Sequence, residues 1–301
     1  MRISKNMPPT IAITGGKGGT GKTTVAINLA YIFSKHEYKV LFLDCDVDAP
    51  NAAILMNVDL KEVQKTESFL PKFNDNCIGC GDCQEVCQPH ALLNISEKKP
   101  LLFPEMCTGC EACKIVCEYN AIEPNVKVVG KIHIGMKYGI DVVVGELEIG
   151  EPKSAEVVRA VRNYAAIQLQ KKKYDIVIID TAPGAHCDII HALNGANLVV
   201  SVTEPTPFGI HDLKRILELI TFLSSKPTSN IIINRSDLTS QKLPFDKIAR
   251  AYNSSILGKI PMSREIQLSY AEGTPVIEKF PKAEITIQFE NIFRKLEGAI
   301  L

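Results

Sequence analysis

The sequence predicts an α/β fold, a mostly parallel sheet with helices on both faces, interrupted by a small inserted module of α+β character. Three observations predict it. Short, unbroken Val/Ile/Leu runs alternate with helical patterns, as strands covered on both faces require. Between about Glu67 and Asn125 that rhythm stops, and Pro71, Pro89, Pro100, Pro104 and Pro124 punctuate the chain. Eight of the ten cysteines fall in the same stretch, from Cys77 to Cys117.

The expected strands are Thr10–Thr14, Val40–Asp44, Ile140–Val144, Ile176–Asp180, Leu198–Val202, Asn230–Ile233 and Ile256–Ile260. Between them, Val25, Leu29, Ile32 and Phe33 share one helical face, as do Val157, Val161, Tyr164 and Ala165. Lys171–Lys173 suits the end of the second helix, where cations complement the dipole. At the C-terminus Ile285, Phe289, Ile292, Phe293 and Leu296 form a further apolar stripe. Its polar face mixes Glu290 and Glu297 with Arg294 and Lys295, so it lacks the basic excess of a membrane-surface helix and is expected to pack on the sheet. The chain thus divides into residues 1–66 with 126–301 as one discontinuous domain and 67–125 as an insert. The connection carrying the insert is expected at the sheet edge away from the strands' C-terminal ends.

Composition sets limits on function. The 301 residues are 46% hydrophobic and 23% charged, and 34 basic residues balance 34 acidic ones. No global field attracts nucleic acid or an anionic membrane. No apolar run approaches the roughly 18–20 residues that span a bilayer, and Met1–Pro9 has no apolar stretch of a signal peptide. A cytoplasmic protein is expected. Eight thiols within 41 residues of such a chain read as metal ligands, not as a disulfide framework.

Gly16-Lys17-Gly18-Gly19-Thr20-Gly21-Lys22-Thr23, followed by Thr24, fits G-x-x-x-x-G-K-[ST] between an apolar strand and a helix. Glycines there let backbone N–H groups curl around phosphate oxygens, and the helix N-terminus adds its positive dipole. Lys22 is expected on the β- and γ-phosphates and Thr23 on Mg²⁺.

Lys17, directly after the first glycine, is not required by such a loop. The form Lys-Gly-Gly-x-Gly-Lys-Thr resembles the deviant Walker A motif of the MinD/ParA family of P-loop ATPases, which includes the nitrogenase iron protein. The resemblance implies a Mg²⁺-dependent ATPase that binds ATP and releases ADP, sandwiching nucleotide in a dimer with itself or with a paralogue. Lys17 would then reach the phosphates held by the other subunit. By the same resemblance Asp46, in Asp44-Cys45-Asp46-Val47-Asp48, positions the attacking water, so Lys17, Lys22 and Asp46 form the expected catalytic set. Asp180, in Asp180-Thr181-Ala182-Pro183-Gly184, holds the Mg²⁺ shell through water, while Asn234 and Pro261 contact the base. Asp48 is expected to cap the next helix.

The cysteines repeat with a period of thirty: Cys77, Cys80, Cys83 and Cys87 recur as Cys107, Cys110, Cys113 and Cys117. This C-x₂-C-x₂-C-x₃-C spacing resembles that of bacterial two-cluster ferredoxins, in which the fourth cysteine of each run serves the other cluster. One [4Fe-4S] cluster would take Cys77, Cys80, Cys83 and Cys117, the other Cys107, Cys110, Cys113 and Cys87. The run departs from the usual one after its fourth cysteine, where Gln88-Pro89 and Glu118-Tyr119 stand in place of an immediate proline. Structural zinc instead pairs two separated knuckles. Cys187 lies seven residues after Asp180, an offset shared with a dimer-bridging ligand of nitrogenase-type reductases, but Ile149–Ser154 supplies no second cysteine. Cys187 and Cys45 are therefore read as idle thiols.

The leading functional expectation is a nucleotide-gated, iron–sulfur electron-transfer protein with a redox partner. An ATP-dependent iron–sulfur cluster carrier or assembly factor is the second. A positioning ATPase, the third, has no use for two clusters.

Overall fold

The computed structural model describes residues 7–95 and 98–300. The first six residues of the stretch read above as lacking a signal peptide lie outside the described residues.

The chain opens with β1 (Thr10–Thr14), α1 (Lys22–Lys35), β2 (Val40–Cys45), the short α2 (Ala52–Leu55) and the long β3 (Lys61–Phe73). The cysteine-rich segment follows, with α3 (Asp82–Glu85), β4 (Leu92–Leu93), β5 (Leu101–Leu102) and α4 (Ala112–Val116). β6 (Ile122–Lys137) and β7 (Ile140–Leu147) return the chain to the sheet. Then come α5 (Ser154–Lys171), β8 (Ile176–Thr181), α6 (Cys187–Leu193), β9 (Leu198–Thr203), α7 (Pro207–Phe222) and β10 (Thr228–Asn234). The chain closes with α8 (Phe245–Ala251), β11 (Ser255–Ile260), α9 (Arg264–Ala271), α10 (Val276–Lys279) and α11 (Glu284–Ile300).

All seven expected strands form. They are the parallel part of a nine-stranded sheet ordered β11-β10-β9-β1-β8-β2-β7-β6-β3. β2, β8 and β9 are buried along their whole length, which is why their sequences are unbroken apolar runs. One face is covered by α1, α10 and α11, with Phe33 and Phe293 edge to face at 4.9 Å. Here the C-terminal stripe Ile285, Phe289, Ile292, Phe293 and Leu296 is buried. The other face is covered by α5, α6, α7 and α8, through residues such as Val157, Val161, Leu213 and Ile216. Among the described residues no helix is long and apolar enough to cross a membrane.

β3 and β6 were not expected. β6 pairs antiparallel with β7, and β3 antiparallel with β6, in a ladder running from Lys61 opposite Ile134 to Phe73 opposite Ile122. The boundaries at 66/67 and 125/126 fall inside this ladder.

The expected placement of the insert is corrected. β7 ends at Leu147, opposite Gly130, which in turn faces Thr66. The pairs from Glu67–Val128 to Phe73–Ile122 therefore continue past the C-terminal end of β7. At about 3.3 Å per residue the ribbon extends roughly 23 Å beyond that edge. It is the edge at which the loop after β1 lies, because Ile13, Asp44 and Val144 are in register through Asp180. The cause is the added strand β6, whose reversal turns β3 into a ribbon pointing the same way as the parallel strands.

The ribbon carries its own small core, with Cys83, Leu92, Cys113 and Ile122 buried and Phe69, Phe73, Leu102, Cys87 and Cys117 packed against them. The thirty-residue repeat is also a backbone repeat. Left-handed residues recur as Gly79 and Gly109 (φ 73° each), Gly81 and Glu111 (φ 97° and 61°), and His90 and Asn120 (φ 54° and 49°).

Candidate functional site

The loop from Gly15 to Gly21 joins β1 to α1 and is tied on three sides. Thr20 Oγ1 donates to the Lys17 carbonyl at 3.4 Å, and Lys22 Nζ donates to the same oxygen at 3.2 Å. From β10, Asn234 Nδ2 donates to the Thr20 carbonyl at 2.7 Å. From the β8 side, Gly184 N donates to the Gly15 carbonyl at 3.1 Å. Gly21, at φ 89°, is the N-cap of α1, and a Cβ there would run into Asn234 Nδ2. The first turn of α1 holds no acidic residue, so its N-terminal dipole is left uncompensated.

Three carboxylates converge beside the loop. Asp44 is fully buried and accepts from Asp46 N at 3.1 Å and Ala52 N at 3.0 Å. It, and not the exposed Asp48, therefore satisfies the first turn of α2, correcting the expected cap. Burial pushes Asp44 up to about 7, against the pull of those two N–H groups. Burial also raises Asp46, with Lys22 holding it down, and lifts Asp180 well above the usual carboxylate range, helped by the charge of Asp44. Lys22 is 5% exposed. Burial lowers its pKa while Asp180 and Asp46 raise it. Both carboxylate oxygens of Asp180 are buried with no hydrogen-bond partner among the described residues. The Thr23 hydroxyl is near enough to pull the Asp180 carboxyl back down in part, and a buried carboxylate beside a hydroxyl is a hard oxygen set that suits Mg²⁺ and its waters.

A cavity of about 450 Å³ opens in front of the loop. It brings together Gly18, Gly19, Gly21, Lys22, Thr23, Thr24, Asp46, Asn234 and Pro261. Gly16, Lys17, Thr20 and Asp180 are outside its wall. Gly16 packs on Asp212, Thr20 is turned inward on the loop, Asp180 is buried, and Lys17 is exposed. Arg235, paired with Glu204, and Tyr270 also line the cavity and were not anticipated. Arg235 had no sequence signal beyond adjacency to Asn234. The bond from Ala52 N to Asp44 is set by how the chain returns after β2, so it too had no sequence pattern.

In the cysteine-bearing ribbon two smaller cavities divide the eight cysteines. One is lined by Cys77, Cys80, Cys83 and Cys117, the other by Cys87, Cys107, Cys110 and Cys113. Ala91 N donates to Cys87 Sγ at 3.3 Å and Ala121 N to Cys117 Sγ at 3.4 Å, equivalent bonds in the two repeats. Among the described residues no three His, Cys, Asp or Glu side chains meet closely enough to hold a single metal ion. A cubane makes a different demand, since each of its four irons takes one thiolate and the sulfurs surround the cluster. Burial, with neighbouring cysteines, raises the Cys83 and Cys113 thiols to about 11. Unliganded, both would stay protonated, and metal binding would have to displace those protons. Cys45 is buried at the end of β2, and Cys187 is exposed at the start of α6.

A family model described as "CobQ/CobB/MinD/ParA nucleotide binding domain" matches residues 11–276. Two uncharacterised proteins of Methanocaldococcus jannaschii are similar to the chain, at 36% identity over 236 residues and 35% over 244. These alignments cover 78% and 79% of this chain and 81% and 86% of those proteins. An iron-sulfur cluster carrier protein of Pyrococcus horikoshii is 22% identical, with 95% of this chain and 86% of that one covered. Among solved structures, the septum site-determining protein MinD from Pyrococcus horikoshii, complexed with Mg-ADP, superposes with a TM-score of 0.60. That pair is 19% identical, over 96% of each chain.

Proposed function

The chain belongs to the CobQ/CobB/MinD/ParA family of nucleotide-binding domains, and from that premise we propose that it is a Mg²⁺-dependent ATPase gating electron transfer through two [4Fe-4S] clusters. Residues 1–66 and 126–301 bind and hydrolyse ATP, and residues 67–125 form the ferredoxin-like module. The observation that carries the reading is the shared edge. The cysteine cavities sit on a ribbon projecting from the same side of the sheet as the phosphate loop.

Within the body, backbone N–H groups of the loop and the Lys22 ammonium neutralise the β- and γ-phosphates. Thr23 and Asp180 hold Mg²⁺, the latter through water. Asp46 orients the attacking water, and Asn234 and Pro261 form the base end of the cavity. Lys17 is exposed, which supports a role toward a second subunit. That subunit is a copy of this chain or a paralogue, as the two relatives in one organism suggest. The two sets of four cysteines fit cubane ligation, and clusters held there would each accept and release one electron. Ser68 and Lys153 join the module to the body where the ribbon leaves the sheet.

Gating requires ATP to favour one of two conformations by differential affinity. An anaerobic redox titration with and without ATP·Mg²⁺ tests it, with a shift in cluster potential or reduction rate expected. The Asp46→Asn variant, which keeps the ATP-bound state from turning over, should make the shift persist. Potential and rate both unchanged in that variant would sink the gating reading.

The similarity to an iron-sulfur cluster carrier favours a second reading, in which ATP drives delivery of a cluster. Incubation of the loaded protein with an apo-ferredoxin separates the two, since a carrier loses iron to the acceptor on ATP addition and an electron-transfer protein keeps it.

A further inference from the structure

Lys153 stands where α5 begins, 6% exposed. Its Nζ donates to Ser68 Oγ on β3 at 2.8 Å and lies 3.4 Å from where a Cβ of Gly109 would sit. Gly109 lies between Cys107 and Cys110. Among the described residues no carboxylate comes within 4.0 Å of this ammonium. Its neighbour Lys127, directly opposite Ser68 in the ladder, is by contrast paired with Glu151. A buried cation without a counter-charge is costly, so something must offset it.

The four-thiolate set beside it is the group that can. The cavity holding Cys87, Cys107, Cys110 and Cys113 is walled by Phe69 and Pro71, nearer the body. The cavity holding Cys77, Cys80, Cys83 and Cys117 is walled by Phe73, about 13 Å further along the ribbon. Neither cavity has a Lys or Arg in its wall. Lys153 approaches the proximal set at the Gly109 backbone, whereas the distal cavity includes Asp82, which has no basic partner within 4.0 Å among the described residues. The proximal one includes Glu111, but Lys114 pairs with it at 3.1 Å.

We propose that Lys153 is the counter-charge of the proximal cluster and makes it the higher-potential member of the pair. The electron of a singly reduced chain then resides on the cluster nearer the ATPase body. The inference rests on the cluster reading above. A cubane with four thiolates is negatively charged, and reduction by one electron from a low-potential donor adds one more negative charge. A fixed ammonium stabilises the reduced state more than the oxidised one. No proton need move.

The test is an anaerobic potentiometric titration of the full chain, followed by electron paramagnetic resonance, with Cys77→Ser identifying the distal signal. Lys153→Gln keeps a donor for Ser68 and removes the charge. It should weaken reduction of the proximal cluster at least tenfold, which is about 59 mV for one electron. The distal step and the iron content should stay unchanged, and Lys153→Arg should restore the potential. A proximal step that stays put with full iron, or two steps that move together, would overturn the proposal. The order of the steps in unsubstituted protein decides the matter even if Lys153→Gln does not fold, because a proximal cluster at the lower potential is incompatible with it. Wild-type protein without iron would refute the cluster reading instead.

Discussion

Asn234, the last residue of β10, donates its side-chain amide to the carbonyl oxygen of Thr20 at 2.7 Å. The bond reaches from the end of one strand, across a gap of 214 residues, into the middle of the phosphate loop. It fixes the peptide preceding Gly21, whose positive φ turns the loop into α1. Asn234 therefore shapes the loop as well as lining the cavity in front of it.

Asn234→Ala leaves the nearly buried Thr20 carbonyl without its partner, a loss of about 1–3 kcal/mol. Affinity for ATP or ADP, measured by calorimetry, should fall roughly 5- to 150-fold. Gly21→Ala should do at least as much, because it combines a strained φ with a collision against Asn234 Nδ2. Wild-type affinity in both variants would show that the loop does not depend on this contact.

Lys22 and Lys17 belong to one loop but differ in surroundings. Lys22 is buried between Asp180 and Asp46, whereas Lys17 is exposed and outside the cavity wall. Lys22→Ala should abolish nucleotide binding. Lys17→Ala should leave binding to the monomer within a few-fold of wild type and remove dimerisation and turnover. Sedimentation and ATPase assays on the same samples check this. Turnover by wild-type protein that stays monomeric at every concentration would exclude a sandwich mechanism.

How much was legible in the sequence follows from how local each signal is. The seven parallel strands were readable because all but the edge strand β11 are buried over most of their length on both faces, so their apolar runs need no context. β3 and β6 were not. Much of β3 is exposed (Lys61 to Lys65), and Pro71 and Pro124, which face each other across the ladder, argue against strands. Their pairing depends on each other and on the reversal at β7, a contact between distant segments. The phosphate loop was readable because its chemistry is contiguous. Asp44 as the cap of α2, Lys153 against Gly109 and Arg235 in the cavity wall are all products of tertiary contact, and none has a sequence pattern.

Asp44 makes stability pH-dependent in the nucleotide-free protein. Its ordinary value of 3.8 is raised to about 7 by burial. Below about pH 4 both folded and unfolded states carry the proton and there is no penalty. Between about 4 and 7 the unfolded chain releases it while the folded chain retains it, so stability falls as pH rises. The full effect is on the order of 4 kcal/mol at pH above 7. Urea unfolding between pH 4 and 8 should show this decline, and Asp44→Asn should reduce it at the cost of one of the two N–H bonds from Asp46 and Ala52. The remainder belongs to Asp180, whose carboxyl is also raised by burial. A slope equal in the variant and the wild type would assign the dependence to other groups.

The pairing of the cysteines gives the sharpest test of the module. Cys117 stands in the second run of the sequence, yet it lines the cavity of Cys77, Cys80 and Cys83, while Cys87 lines that of Cys107, Cys110 and Cys113. The crossing has a local cause. Each third cysteine lies within a one-turn helix, α3 or α4, that carries the chain on to the fourth, and there Cys87 and Cys117 receive their N–H bonds from Ala91 and Ala121. Anaerobically purified protein should contain about eight irons per chain. Cys117→Ser and Cys77→Ser should each perturb the same one of two spectroscopic signals, and Cys87→Ser and Cys107→Ser the other. The module's own core has few buried members, so loss of either cluster should also lower its resistance to proteolysis relative to the body. If the Cys117→Ser spectrum instead matches that of Cys107→Ser, each run closes its own cluster and the division of the two cavities does not describe ligation.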